Sequence, residues 1–400
     1  NIYGGSYQLL HDWYAKESKL GIALSWFDGY DRSAFAVALD ELMVTHADRL
    51  AEGRKVFIYL ESPCNPHGYV LDVPGISQIA HAKGFRVIVD STVGTPFLHP
   101  LLKVSDGMQR PDFVVHSYTK ELTGTGTTTA GVVIGRNEDM FIPKHTSTDT
   151  TWPDGSPRKV NWDESLFWNV YYIKGGFLDA DKAFEVLNGI KTYEMRILQK
   201  TINTILLARV LAAHPDINVS CPVLTENSNH ALLAEHMYLG LPAPLFTLDM
   251  EGRDGRPSVN PAFFKRFLDA LEPAVGMQVS LGQTNSLALC PAMTTHSELS
   301  ESALAEAGIA ATTLRISVGL EDPRLFLAHF IGAARLALEP EHRGRAYERA
   351  LSLDEIRNES LHDVGNGEHD GHGVGVLRPR SDQQHGRVNV RDGVAPSQQH

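Results

Sequence analysis

Cysteine is scarce in this chain: three in 400 residues, at positions 64, 221 and 290. That number, with no metal-ligand spacing between them, excludes a disulfide scaffold and a zinc module. It suits a reducing compartment, so the cytoplasm is the expected location. Long apolar runs are missing too. No stretch reaches the roughly 20 residues that a membrane-crossing helix needs, so no membrane partner is expected. Basic clusters are absent, and 36 Lys and Arg against 48 Asp and Glu leave a formal net charge of −12. A nucleic-acid surface is therefore not expected. What remains is an ordinary balance, 42% hydrophobic and 21% charged. It fits a globular enzyme with a sizeable core and more than one domain.

Two functional groups stand out against that background. Asp90 closes the run Arg86-Val87-Ile88-Val89-Asp90, and Lys120 closes Val114-Val115-His116-Ser117-Tyr118-Thr119-Lys120. Both follow short β-branched stretches of the kind that form buried strands. In an open α/β sheet, side chains at the carboxyl ends of strands converge on one crevice. An acid and an amine there, with the hydroxyls of Ser117 and Thr119 beside the amine, suit a cofactor with a ring nitrogen, an aldehyde and a phosphate. Pyridoxal 5′-phosphate has all three. A lysine amine can form a Schiff base and then shuttle protons. A carboxylate keeps the pyridine nitrogen protonated, so that the ring accepts electrons. By itself Ser-x-Thr-Lys is a weak signal, equally consistent with a surface lysine after a strand.

The surroundings strengthen it. Val56 to Glu61 reads as a strand running into Ser62-Pro63-Cys64-Asn65-Pro66, residues 76–83 as a short helix stopped by Gly84, and Gly131-Val132-Val133-Ile134-Gly135 as a third strand beyond Lys120. Strand, helix, strand is the order of a sheet covered by helices. Helical periodicity follows over 179–214 and 261–271, with strand-like runs near Leu245 and Leu314.

Five stretches in this order resemble the Cys/Met-metabolism family of pyridoxal-phosphate enzymes. They are Tyr3-Gly4-Gly5-Ser6-Tyr7, Glu61-Ser62-Pro63-Cys64-Asn65-Pro66, Val89-Asp90-Ser91-Thr92, His116-Ser117-Tyr118-Thr119-Lys120, and Leu314-Arg315-Ile316-Ser317-Val318-Gly319-Leu320-Glu321-Asp322. The family includes cystathionine γ-synthase and γ-lyase, methionine γ-lyase and O-acetylhomoserine sulfhydrylase. The resemblance implies an aspartate-aminotransferase-like α/β fold (fold type I). A large domain at 1–205, with a mainly parallel sheet covered by helices, would precede a smaller α/β domain at 206–350. It also implies an amino-acid substrate and a homo-oligomer, a dimer of dimers with shared sites.

Residue by residue, the resemblance implies that Lys120 anchors the cofactor and Asp90 pairs with its ring nitrogen, while Ser117 and Thr119 bind phosphate. Tyr3 would stack on the ring and assist proton transfer. Asn65 would lie between the cofactor and the substrate carboxylate, which Arg315 would clamp, with Ser286 beside it. Arg196 and Lys191 look like structural features of the linking helix. A buried arginine needs an anion; for Arg315 either substrate or a structural carboxylate such as Glu321 could supply it.

There are departures. Members handling cystathionine carry an arginine where this chain has Gln8, and a glutamate where it has Asn285. The loss of both charges favours γ-elimination or γ-replacement on a smaller substrate, as in a methionine γ-lyase or an O-acetylhomoserine sulfhydrylase. Cystathionine γ-synthase, γ-lyase or β-lyase chemistry is the alternative. Residues 106–110 and 146–169 read as insertions, the second as a loop near the cleft. The family places part of its cofactor site ahead of the Tyr3 turn, and this chain starts at Asn1. That raises a third possibility, an inactive member. Ser117-Tyr118-Thr119-Lys120 also fits the S-x-x-K signature of serine acyl-transferases, although it closes a strand where that motif opens a helix. Residues 351–400, polar and Gly/His-rich, read as a disordered tail. Its His369-Asp370-Gly371-His372 stretch has no assigned role.

Overall fold

The computed structural model describes residues 2–253, 257–297 and 300–338. The tail at 351–400, including His369 to His372, lies outside the described residues.

Four strands form the first sheet: β1 (Phe57–Glu61), β2 (Arg86–Asp90), β3 (Phe113–Ser117) and β4 (Gly131–Gly135), side by side in that order. β1, β2 and β3 are parallel and β4 is antiparallel. Leu60, Val87, Val89 and Val114 are buried along it. The Val73–Ala82 helix packs Val73, Ile76 and Ala80 into the same apolar cluster. This helix begins ahead of the expected 76–83. Asp72 caps it by accepting from the Gly75 amide at 2.9 Å, and Pro74 sits in its first turn. Proline resembles a breaker in sequence but is well suited to a first turn, where no amide partner is needed.

A second, five-stranded sheet has the order β7 (Asn218–Ser220), β8 (Leu245–Asp249), β11 (Leu314–Ser317), β10 (Leu287–Leu289), β9 (Gly276–Met277). Its pairings are antiparallel except β9 with β10. The Tyr193–Ala212 and Pro323–Leu338 helices cover it, and Leu207, Leu211, Phe326 and Phe330 join Phe246, Leu248, Leu314 and Ile316 in one core. The Tyr193–Ala212 helix runs unbroken through the expected boundary at 205–206. Its Ile197 and Ile205 pack in a different cluster, with Val70 and Leu98.

One expectation is corrected. Residues 146–169 include a β-hairpin, β5 (Ser147–Thr151) paired with β6 (Pro157–Asn161). Both its strands are mostly polar and exposed, so no period-two apolar pattern marks them in sequence. The hairpin is not at the cleft. Arg158 joins it to Asp139, which also binds Arg86 at the beginning of β2, the end remote from Asp90. Among the described residues, no helix is long and apolar enough to cross a membrane, and no cluster of His, Cys, Asp and Glu could hold a metal ion.

Candidate active site

β1 and β2 end level with one another, and β3 runs two residues further. Glu61 faces Asp90 across β1 and β2, and Asp90 faces Val115 across β2 and β3. Beyond these ends the chain turns: through Asn65 after β1, through Thr92 after β2, and through Lys120 after β3. The Thr92 Oγ1 accepts from the Ser117 amide at 2.8 Å and so ties two of the turns together.

Lys120 lies in a tight turn, Tyr118–Leu122, whose helical backbone breaks at the lysine itself (φ −96°, ψ −131°). Its Nζ donates to Ser280 Oγ at 2.7 Å. Burial, and next the positive charge of Arg315, hold this amine below the usual lysine range. A neutral amine is the form that attacks an aldehyde or accepts a proton. Ser280 has φ 103°, a left-handed conformation that costs a non-glycine residue about 1–3 kcal/mol and gathers at functional sites. Its carbonyl also accepts from Arg315 Nη2. One strained serine therefore links the lysine to the arginine.

Arg315, on β11, is only 2% exposed. Its Nη1 donates to Asn65 Oδ1 at 3.1 Å, and its Nε is buried without a hydrogen-bond partner. Burial lowers its pKa to about 10, with Tyr3 acting in the opposite direction. Among the described residues no carboxylate pairs with it. Glu321 instead takes the Ser286 amide and hydroxyl at 2.6 and 2.7 Å, so the structural alternative for Arg315 does not hold. A buried guanidinium with neutral partners and a free N–H is a receptor for an anion.

The other sequence candidates sort unevenly. Asp90 Oδ1 accepts the local Thr92 amide at 2.9 Å, and the Asp90 carboxylate also faces the Tyr59 hydroxyl. The Ser117 hydroxyl has no protein partner among the described residues. The Thr119 hydroxyl is engaged with Ala130, accepting from its amide at 3.1 Å and donating to its carbonyl at 3.3 Å. Ser286 is bound to Glu321 and to the Gly319 amide. Tyr3 is 47% exposed, while its amide donates to Glu61 Oε2 at 2.7 Å. Cys64 is fully buried, and burial pushes its thiol up to about 11, which leaves it inert.

Two residues gain parts that sequence reading did not give them. Glu61 accepts from both Tyr3 and Asn65 amides, the second at 2.8 Å, and so holds two site segments together. Burial, then the charge of Asp90, raise its pKa to about 8. An acid ending an apolar strand was the available signal. Ser280 had no signal of its own, since its partners lie 160 and 35 positions away. The acyl-transferase alternative loses its support: Lys120 binds Ser280 rather than Ser117, and Lys191-Thr192 joins two helices instead of lying on a strand. Arg196 is structural, with its guanidinium donating to the carbonyls of Glu121, Leu122 and Gly189.

Residues 1–330 match the family of Cys/Met metabolism PLP-dependent enzymes. The chain belongs to that family. It is 30% identical to an L-methionine γ-lyase of Pseudomonas putida over 322 residues, covering 80% of this chain and 68% of that protein. It is 29% identical to an O-acetyl-L-homoserine sulfhydrylase of Leptospira meyeri, covering 80% and 70%. Its fold matches the crystal structure of cystathionine γ-synthase from Xanthomonas oryzae pv. oryzae in complex with cystathionine. There the TM-score is 0.66, the identity 25%, and the cover 85% of this chain and 74% of that one. The fold is thus that of fold type I PLP enzymes, and the family consists of lyases and transferases of sulfur amino-acid metabolism. The residues present suit its cofactor: a half-buried amine, a carboxylate at the end of the adjacent strand β2, a free hydroxyl near the amine, and an orphaned guanidinium N–H.

Proposed function

We propose that the crevice binds pyridoxal phosphate through Lys120 and performs γ-elimination or γ-replacement on a sulfur amino acid or an activated homoserine. The observation that carries this reading is Arg315, buried among neutral partners and joined through Ser280 to Lys120. The substrate's α-carboxylate would complete it. Two parallel N–H groups of a guanidinium fit a carboxylate better than an ammonium does. Asn65 Oδ1 orients the guanidinium, and its amide nitrogen remains for the ligand.

Bound in the crevice, the cofactor supplies an electron sink for negative charge at the substrate carbons. Lys120 would hold it and then move protons between Cα and Cβ, a task suited to an amine below the ordinary lysine range. Asp90 would keep the ring nitrogen protonated. Ser117 would donate to the phosphate, with Thr119 in a supporting place through the Ala130 backbone. Tyr3 lies close enough to act on the charge of Arg315, so its phenol can assist departure of the γ-substituent. Gln8 and Asn285, both exposed and uncharged, support a substrate without a charged distal end. Resemblance to a methionine γ-lyase and to a sulfhydrylase points the same way.

The test is a substrate panel of methionine, O-acetylhomoserine, cystathionine and cysteine, each with and without added sulfide. Release of 2-oxo acid and ammonia from methionine marks elimination, and sulfide-dependent homocysteine from O-acetylhomoserine marks replacement. Turnover of cystathionine alone would contradict the proposed substrate class.

A further inference from the structure

Lys120 does not position itself: its backbone breaks a helical turn and its amine has a single hydroxyl partner. The next residue is differently placed. Glu121 Oε2 accepts from Lys200 Nζ at 2.7 Å, with side chains 3% and 0% exposed. We propose that the buried Lys200–Glu121 ion pair is the positioning element that aims the Lys120 amine at Ser280 and sets its place relative to Arg315. The proposal rests on the reading of Lys120 as the cofactor lysine.

Stability does not account for such a pair. Apolar residues of similar volume hold a core as well as a buried ion pair, or better, but a charged hydrogen bond has direction where apolar packing has little. The surroundings use that direction. Lys200 lies on the Tyr193–Ala212 helix between Arg196 and Asn203. Arg196 donates to the Glu121 and Leu122 carbonyls at 2.9 and 3.2 Å, in the turn that carries Lys120. Asn203 donates to the Gly319 and Glu321 carbonyls at 3.1 and 2.9 Å, in the segment that follows Arg315. One helix face thus grips the lysine's turn and the arginine's exit together. From the other side comes Gly282, with φ 83°, where a Cβ would sit 2.5 Å from the Glu121 amide nitrogen. That close backbone approach brings Ser280, two residues earlier, over the lysine.

Three variants test this: Lys200→Met, Lys200→Arg, and the apolar double Lys200→Met with Glu121→Leu. Urea unfolding gives stability. Reductive methylation with formaldehyde and cyanoborohydride, followed by peptide mass, gives the pH at which the Lys120 amine becomes reactive, without cofactor or substrate. Arg315 is the charge that acts on that amine. The double variant should be as stable as the parent or more so. Its Lys120 should nonetheless become reactive only nearer the ordinary lysine range, and kcat of the loaded enzyme should fall about 100-fold, the penalty of ångström-scale misplacement. KM, set at Arg315, should hold. Lys200→Arg should keep parental behaviour, and Lys200→Met should lose both stability and kcat. A folded double variant with parental Lys120 reactivity and kcat would overturn the proposal, as would one that fails to fold. Should the parent not take up pyridoxal phosphate, methylation still tests the positioning, and the cofactor reading fails separately.

Discussion

Strand β2 begins at Arg86 and ends at Asp90, and its two ends treat charge in opposite ways. At the first, Asp112 binds His81 at 3.0 Å and Arg86 at 3.5 Å, while Asp139 binds Arg86 at 2.9 Å and Arg158 at 2.6 Å. Every charge has an opposite, and the network joins the β5–β6 hairpin to the sheet. At the second, Lys120 meets a serine, Arg315 meets an amide and a carbonyl, and Asp90 and Glu61 accept backbone amides. Among the described residues none of these four groups forms an ion pair; the nearest pair, Lys200–Glu121, lies behind the Lys120 turn. The paired charges at the first end tie the hairpin to the sheet. Buried charges left with neutral partners keep an unfilled demand for counter-charge, which a ligand meets.

Substitution at each end should separate these roles. The largest effect is expected at Arg315. Arg315→Leu should raise KM for an amino-acid substrate by about 100-fold or more, the scale of losing one partner of a buried charge pair. It should leave the urea midpoint unchanged or higher, because it removes a charge that has no internal anion. A steep fall in stability would mean that Arg315 belongs with the structural charges after all.

Asp139→Asn should do the reverse. Arg86 and Arg158 would lose their shared carboxylate at a cost of about 3 kcal/mol, typical of breaking a buried pair. At saturating cofactor, kcat and KM should not change. A kinetic effect would show that the two ends of β2 are coupled.

The smallest effect per residue concerns acid. Burial is the main cause that lowers the pKa of His67, His99, His116 and His296, and for His99 and His296 the value reaches about 4. These rings stay neutral in the fold and gain protons in the unfolded chain near pH 6.5. Their folded values lie below the unfolded one, so the stability they contribute is complete above about pH 6.5. For His99 and His296 it is lost as pH falls toward 4, by roughly 1–2 kcal/mol each at pH 5; His67 and His116 add in the same direction. Glu61, raised to about 8, acts with the opposite sign over this interval, so urea midpoints at pH 7.5 and 5 in a Glu61→Gln variant measure the histidine sum. Loss of stability on raising the pH over this interval would contradict the assignment.

Much of this was legible from local pattern. Apolar runs leading to Asp90 and Lys120 announced the parallel sheet, although its third strand stops at Ser117 and Lys120 stands in the turn beyond. Lys120, Arg315 and Asn65 are linked there, the first two through Ser280. What sequence did not disclose depends on distant partners. Ser280 reads as an ordinary polar residue until Lys120 and Arg315 are seen on either side of it. Ser286 and Glu321 each look available in sequence, yet they bind one another. Thr119 shows the same limit: a hydroxyl two residues from Ser117 suggests a matched pair, but the backbone of Ala130 occupies it. The β5–β6 hairpin escaped because its strands bury little, which removes the alternation that marks a strand.

Everything proposed for this crevice depends on Lys120 carrying the cofactor. The most direct measurement is borohydride reduction of the chain incubated with pyridoxal phosphate, followed by peptide mass analysis, with Lys120→Ala as control. A visible absorption band that reduction abolishes is expected, with the pyridoxyl group fixed on the Lys120 peptide and none fixed specifically in the variant. Label distributed over surface lysines, equally in both proteins, would contradict it.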